Sequence, residues 1–426
     1  MSPLVFAHFM VGNTYPYSIK DWAEDIDLAL KSNLDGFVLN VGKERWQLDR
    51  VSDCFEAASR AGCNIKFFLS FDMSSIPAKT ESDIQLLAGY LEKFANSDKM
   101  LHISDKVVVS TFAGENSLFG QSSLDSAWLW VKRVLRDTVG IEIHYLPSLF
   151  IDPEQYTQLS CLDGVFHWNG AWPVHLGSGS SPGEKVFPKL DSDLKHISHL
   201  NGRPYTYMAS VSPWFFTHYG ADSWNKNWIY RGDDWLLVKR WEFLIENRHK
   251  IDIVQVISWN DYGESHYIGP VKGAQPNSEA WVNGFPHEAW LHLNSHYIRA
   301  FKEGTRHPII EKDMIFMWAR PHPRDAQALE DPLPRPNNWQ LADDDLRVVI
   351  LAKDHAGVVV TAGDTDKQFR IYKGVNLLSM PLQTGGGMSA KMYRETVLVA
   401  ECSASGYRFE ANPKTYNFNA FTAMSA

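Results

Sequence analysis

The feature that most constrains this chain is an alternation of short apolar runs with helical stretches over roughly its first 300 residues. The apolar runs lie at 4–10 (LVFAHFM), 35–41 (DGFVLNV), 65–71 (IKFFLSF), 106–112 (KVVVSTF), 142–150 (EIHYLPSLF), 163–168 (DGVFHW), 204–210 (PYTYMAS) and 251–258 (IDIVQVIS). Between most of them, and after the last, helical periodicity appears at 19–33, 49–62, 81–96, 123–137, 233–248 and 288–304. Alternation of this kind specifies βα units. Strands that are apolar on successive residues belong to a parallel sheet covered on both faces. Eight such units match the count and size of a (β/α)8 TIM barrel, an α/β fold. A doubly wound open sheet is the rival, and it would carry a glycine-rich phosphate loop after its first strand. This chain has VGNTYPYS there instead.

Beyond about residue 305 the texture changes. The stretch 319–340 (ARPHPRDAQALEDPLPRPNNWQ) is proline-rich and reads as a connection. Short alternating runs come next, at 346–352, 357–362, 367–374, 377–382, 395–401 and 407–412, separated by Gly, Asp and Asn. That is the pattern of a β-sandwich. The expected organisation is a catalytic barrel over 1–305, then a linker and a C-terminal β-sandwich accessory domain over 306–426.

Charge narrows the partners. Lys and Arg number 41 against 50 Asp and Glu, a net charge of −9 with no basic run, which argues against nucleic acid or an anionic membrane surface. No apolar stretch is long enough to span a bilayer. The four cysteines show no metal spacing, and there is no Asn-x-Ser/Thr acceptor. The start, MSPLVFAHFMVGNTY, lacks the charged and apolar regions of a secretory leader. The expectation is a cytoplasmic monomer with free thiols, or a secreted one had a leader been trimmed.

Reactive groups of a barrel sit at the C-terminal ends of its strands. Those ends carry His8, Asn40, Asp72, Thr111 with Glu115, Asn169, Ser210 with Ser212, and Asn260 with Asp261. The last is the most informative, because SWNDYGESHYIGP places Asp261 and Glu264 three residues apart among aromatics, just after the eighth run. Gly263 between them specifies a turn. Paired carboxylates held at different pKa values do the acid/base work of breaking a glycosidic bond. An arbitrary D-x-x-E is more often a cap and a surface ion pair; its position shifts the balance towards catalysis. Nothing in the sequence decides which of the two is acid and which base; Glu264 is taken as the acid and Asp261 as the base by choice alone, with Asp72 as a third, supporting acid. A metal site of Asp261, Glu264 and His266 is the weaker reading, with one histidine and no helix to present it, so neither metal nor cofactor is expected.

Aromatics make up 13% of the chain, with 16 Trp. Many fall in loops, where large apolar rings need a partner. Trp168, Trp172 and Trp214 are assigned to a sugar-stacking cleft, and Trp235 and most of the others to packing.

Together the motifs FAHFMVGNTY, DGFVLNVG, FFLSFDM, VVVSTFAGE, DGVFHWNGAWP, YMASVSPWFFTHYG and SWNDYGESHYIGP resemble glycoside hydrolase family 71, the fungal α-1,3-glucanases or mutanases, from about residue 3 to 305. The resemblance implies endo-acting, inverting, metal-free hydrolysis of wall α-1,3-glucan. It places the essential acids at Asp72, Asp261 and Glu264. His8, Asn40, Glu115, Trp168, Asn169 and Trp172 match positions lining the family's cleft, and Trp214, Tyr262 and His266 are added to that substrate-binding group. The alternatives are a non-catalytic α-glucan-binding protein and a barrel glycosidase acting on another α-linked glycan.

Overall fold

The structure, a computed structural model, describes residues 3–177, 179, 187–200, 205–306 and 308–426. Its strands up to the eighth apolar run are β1 (Leu4–Met10), β2 (Gly36–Val41), β3 (Lys66–Asp72), β4 (His102–Ile103), β5 (Lys106–Phe112), β6 (Ile143–Tyr145), β7 (Gly164–His167), β8 (Thr206–Val211), β9 (Phe216–His218), β10 (Asn227–Ile229) and β11 (Ile253–Val256). The remainder are β12 (Met314–Ala319), β13 (Asp345–Ala352), β14 (Ala356–Ala362), β15 (Thr365–Ile371), β16 (Gly374–Pro381), β17 (Met388–Arg394), β18 (Val397–Ser403) and β19 (Phe421–Met424). The helices are α1 (Ile19–Lys31), α2 (Gln47–Ala61), α3 (Ile84–Phe94), α4 (Leu124–Val134), α5 (Asp193–Ser198), α6 (Leu236–Glu246), α7 (Glu279–Val282) and α8 (Glu288–Glu303). Two compact units result: residues 1–171, 190–211 and 246–259 form the first, and 172–189, 212–245 and 260–426 the second.

The first unit is a curled, mostly parallel sheet with helices. Its parallel strands run β6-β5-β3-β2-β1-β11-β8-β7, so the first strand of the chain lies between the second and the eighth parallel strand. The two-residue β4 pairs antiparallel with β5. All eight parallel strands coincide with the eight apolar runs, although Pro204, which opens the seventh run, lies outside the described residues. The fifth is much shorter than its run. Regular strand ends at Tyr145, just before Pro147, which has no N–H to give to a ladder. Leu146 and Ser148 still donate to the Val109 and Thr111 carbonyls at 2.8 and 2.9 Å, and Leu146 and Leu149 stay buried. Beyond β6 the backbone N–H groups of Asp163 and Phe166 donate to the carbonyls of Tyr145 and Pro147, at 3.0 and 2.9 Å.

Local signals fix the helices of this unit. Ser18 caps α1 in a reciprocal box: Asp21 Oδ2 accepts the Ser18 N–H at 2.8 Å, and Ser18 Oγ accepts the Asp21 N–H. The buried face of α1 then sets Trp22 in a stack on Phe9 of β1, ring centroids 4.7 Å apart. Phe55 of α2 meets both Phe67 of β3 and Phe94 of α3.

The second unit contains the antiparallel hairpin β9–β10, α7 and α8, nearly all of α6, and two four-stranded antiparallel sheets ordered β16-β13-β12-β19 and β15-β14-β17-β18. Inward residues of both sheets, among them Ile315, Val348, Ile350, Val358, Val360, Ala390 and Met392, build one buried cluster. The run 407–412 alternates yet forms no strand, because the N–H and C=O of Phe409 bond to the glycine turn at Gly385 and Gly386. Cys54, Cys63, Cys161 and Cys402 are all free thiols. Among the described residues no helix is long and apolar enough to cross a membrane.

Candidate active site

In the first unit, the strand ends hold the expected residues mostly in buried settings. His8, in β1, is buried, with its Nδ1 2.7 Å from the Gln255 amide and its ring edge-on to Trp168 at 4.9 Å. Trp168 also meets Phe112 at 4.9 Å. Asn40 is buried and donates to the Ser70 carbonyl at 3.4 Å. Asp72 closes β3, and its Oδ1 accepts from the N–H and hydroxyl of Ser74, at 3.0 and 2.5 Å. Glu115 accepts the Phe150 N–H at 3.3 Å. Asn169 is half-buried in a 3-10 turn directly after β7. The hydroxyls of Thr111 and Ser210 donate to nearby carbonyls, as strand-end polar groups do when they serve the backbone.

The second unit holds the paired acids. Residues 262–265 form the turn that Gly263 specified. Asp261 Oδ1 accepts the Glu264 N–H at 3.3 Å, which fixes the turn from within. Gly263 is required by space: a Cβ there would lie 2.1 Å from the Tyr219 hydroxyl. Tyr219 is itself wedged between Trp224 and Trp281 and donates to the Pro276 carbonyl at 3.2 Å. Gly263→Ala therefore displaces the turn that carries both acids. The expected result is a fall in kcat of about 100-fold with an unchanged circular dichroism spectrum; wild-type kcat in a folded Gly263→Ala variant would refute it.

Two side chains meet the Glu264 carboxylate. Lys226 Nζ lies 2.8 Å from its Oε1. His266 Nε2 lies 3.2 Å from its Oε2 and 3.9 Å from Asp261 Oδ2. His266 is fully buried, while the two carboxylates are each 18% exposed. The rings of Trp172 and Phe215 wall the imidazole at 5.8 and 5.9 Å. These surroundings drive the two acids apart. Burial pushes Asp261 up to about 6, and the negative charge of Glu264 adds to the shift. Burial alone would raise Glu264 too. The hydrogen bond to His266 and the charge of Lys226 outweigh it and hold Glu264 down at about 2. Between these two values, and only there, the proton sits on Asp261 and the charge on Glu264, the reverse of the order first chosen.

One ligand atom from each of Asp261, Glu264 and His266 falls within 4.8 Å of the others, the spacing of a cation site. The Lys226 ammonium already brings positive charge to that cluster.

Trp172, Trp214 and Tyr262, all assigned to the substrate-binding group, are buried and hydrogen-bonded to the protein. Trp172 is buried and donates its indole N–H to the Trp214 carbonyl at 2.9 Å. Trp214 is buried against Trp290 and donates to the Phe418 carbonyl at 2.8 Å. The ring of Tyr262 is wholly buried, and its hydroxyl gathers the backbone of Pro270 and Lys272. All three brace the turn and its surroundings. Trp224, by contrast, is 53% exposed. Lys226 was not among the residues singled out from the sequence; its only local signal is a cation inside the aromatic loop SWNKNW.

The sequence profile of glycosyl hydrolase family 71 matches residues 2–426. The chain belongs to glycosyl hydrolase family 71. Glucan endo-1,3-alpha-glucosidase agn1 of Schizosaccharomyces pombe is 37% identical to this family 71 chain over 422 residues, 99% of this chain and 94% of that protein. The ascus wall endo-1,3-alpha-glucanase of the same organism is 33% identical, over 85% of this chain and 81% of that protein. A mutanase of Penicillium rubens is 30% identical, over 99% and 88%. Among solved structures, a GH99 endo-alpha-mannosidase from Bacteroides thetaiotaomicron superposes with a TM-score of 0.50 at 10% identity, over 71% of this chain and 98% of that one, which is a likeness of fold.

Proposed function

We propose that this family 71 hydrolase cleaves α-1,3-glucosidic bonds inside α-glucan, the substrate class named by its relatives in Schizosaccharomyces pombe. The observation that carries the reading is the pair of carboxyls on a single turn, with His266 and Lys226 both on Glu264 and His266 Nε2 farther from Asp261, at 3.9 Å. Burial pushes Asp261 up to about 6, while those two partners hold Glu264 down at about 2 against burial. Asp261 gives its proton to the glycosidic oxygen as the C1–O bond breaks. Glu264 takes a proton from the water that attacks C1 from the opposite face. The new C1–O bond forms with inversion, and exchange with solvent returns both acids to their starting states. The first unit is read as a closed (β/α)8 barrel and the last eight strands as a β-sandwich. Asp72, His8, Asn40, Glu115, Trp168 and Asn169 are assigned to sugar contacts by their match to the family's motifs.

The nearest oxygens of Asp261 and Glu264 lie within 4.8 Å. Inverting pairs stand about 6.5–9.5 Å apart and retaining pairs about 5 Å. Inversion therefore requires the two side chains to spread when substrate and water enter. NMR of the first products from α-1,3-glucan, run beside α-1,4-glucan and β-1,3-glucan, tests both points. The β-anomer first, and only from the α-1,3-linked polymer, is expected. The α-anomer first would replace inversion by retention. Binding without cleavage of any polymer would leave a glucan-binding protein.

The same pair sets the pH dependence. Activity needs Glu264 ionised and Asp261 protonated. It rises as pH passes about 2 and falls as pH passes about 6. The kcat/KM profile, which reports the free enzyme, is expected to fall about tenfold per pH unit above that upper limb. A maximum above pH 8 would exclude Asp261 as the acid.

A further inference from the structure

We infer that Lys226 is a positioning residue that holds Glu264 ionised and so decides which of the two acids acts as the base. The inference rests on the acid/base reading above and extends it to a residue outside the turn. Geometry carries it. Lys226 Nζ stands 2.8 Å from Glu264 Oε1, on the oxygen opposite to the one His266 meets. An ionised carboxylate only accepts hydrogen bonds, so both donors favour that form.

The backbone holds Lys226 in place. Lys226 immediately precedes β10, and its carbonyl accepts the Tyr219 N–H at 2.6 Å, closing the hairpin. On the other strand, the Phe216 N–H donates to the Glu264 carbonyl at 3.1 Å. The hairpin that carries the cation is thus tied by its backbone to the residue the cation serves. Its outer side is clamped by the proline-rich stretch. His218 Nδ1 meets Asn227 Oδ1 at 2.7 Å, and its Nε2 meets Asp331 at 3.0 Å. The Asn227 side chain donates to the Pro334 carbonyl at 2.8 Å, and Asn337 exchanges backbone bonds with Asn227 and Ile229. The stretch that reads in sequence as a passive connection here supports the hairpin under Glu264.

Among the described residues, the titratable groups acting on Glu264 are Asp261 and His266 from the turn and Lys226, Tyr219 and Tyr230 from the hairpin region. Burial pushes both phenols upward, so they carry no charge in the working range. Lys226 and His266 are the groups that oppose Asp261.

The test is the pH profile of kcat/KM on a soluble α-1,3-oligoglucan for wild type, Lys226→Met, Lys226→Arg and Glu264→Gln, with circular dichroism of each. Removing one unit charge from beside a partly exposed carboxylate is expected to raise the acid limb by about one pH unit in Lys226→Met. Lys226→Arg returns it to the wild-type position. A merely structural lysine would lower the rate at every pH and leave the limb where it is. An unmoved limb in Lys226→Met, with Glu264→Gln inactive, overturns the role of Lys226 alone. An active Glu264→Gln overturns the base assignment beneath it.

Discussion

Asp261→Asn and Glu264→Gln are each expected to lower turnover of α-1,3-glucan by about 10²- to 10⁴-fold, the usual contribution of one general acid or base. Both variants keep the size of the side chain, and the amide oxygen of Asp261→Asn can still accept the Glu264 N–H that holds the turn. The losses are therefore chemical, and the two defects differ in kind. Asp261→Asn lacks the proton for the leaving oxygen. A substrate that needs none, such as an α-1,3-oligoglucosyl fluoride, should recover most of the rate. Glu264→Gln lacks the base that activates water, and a better leaving group does not replace it. Azide, which needs no deprotonation, should restore turnover and yield the β-glycosyl azide. A reversed pattern of rescue would restore the order first chosen, with Glu264 as acid. Retention of a tenth of wild-type activity by both variants would remove the pair from the chemistry.

That assignment shows where the sequence stops being legible. The positions of the acids are readable because strand ends are readable. Eight runs buried on both faces must be nearly continuous in apolar residues, so the first polar groups after each run are candidates. Their roles are not readable, because the cation that separates them is 38 residues away on a different element. The one local sign at Lys226, a cation among the aromatics of SWNKNW, does not point to Glu264.

The second unit shows the same limit in its strands. β17 buries Met388, Ala390 and Met392 on alternate residues, but Ser389, Lys391 and Tyr393 dilute the run below notice. β12 lies just ahead of the proline-rich stretch and is hidden by it. The tryptophans are hard to read for a related reason. A large ring in a loop is equally consistent with stacking on a sugar and with bracing another loop. Trp172 and Trp214 brace, whereas Trp224, which reads no differently, is exposed.

The largest stability effect is expected at Arg320, inside that same proline-rich stretch. Its guanidinium is buried, with Nε 2.5 Å from Asp233 Oδ2, Nη2 2.8 Å from Asp344 Oδ1, and Nη1 donating to the His322 carbonyl at 3.0 Å. Phe418 lies under the cation at 5.1 Å. Burial raises Asp233 to about 6 even with this partner present, so the pair as a whole is costly to bury. Removing only the arginine is worse, because it leaves a buried acid, with Asp343 and Asp234 nearby, without its counter-charge. Arg320→Met is expected to destabilise the second unit by about 3–5 kcal/mol, a fall in Tm on the order of 10 °C. The sign of its pH dependence comes from Asp233. A carboxyl whose folded pKa lies above its unfolded value favours folding while protonated, and that contribution is lost as pH rises through the folded value. Without Arg320 that value moves higher still. The deficit of Arg320→Met against wild type should accordingly be larger at pH 8 than at pH 5. Arg320→Met combined with Asp233→Asn, which removes both charges, should recover most of the loss. Equal deficits at the two pH values, or a double variant no more stable than the single one, would mean that the arginine acts through packing on Phe418 and not through its charge.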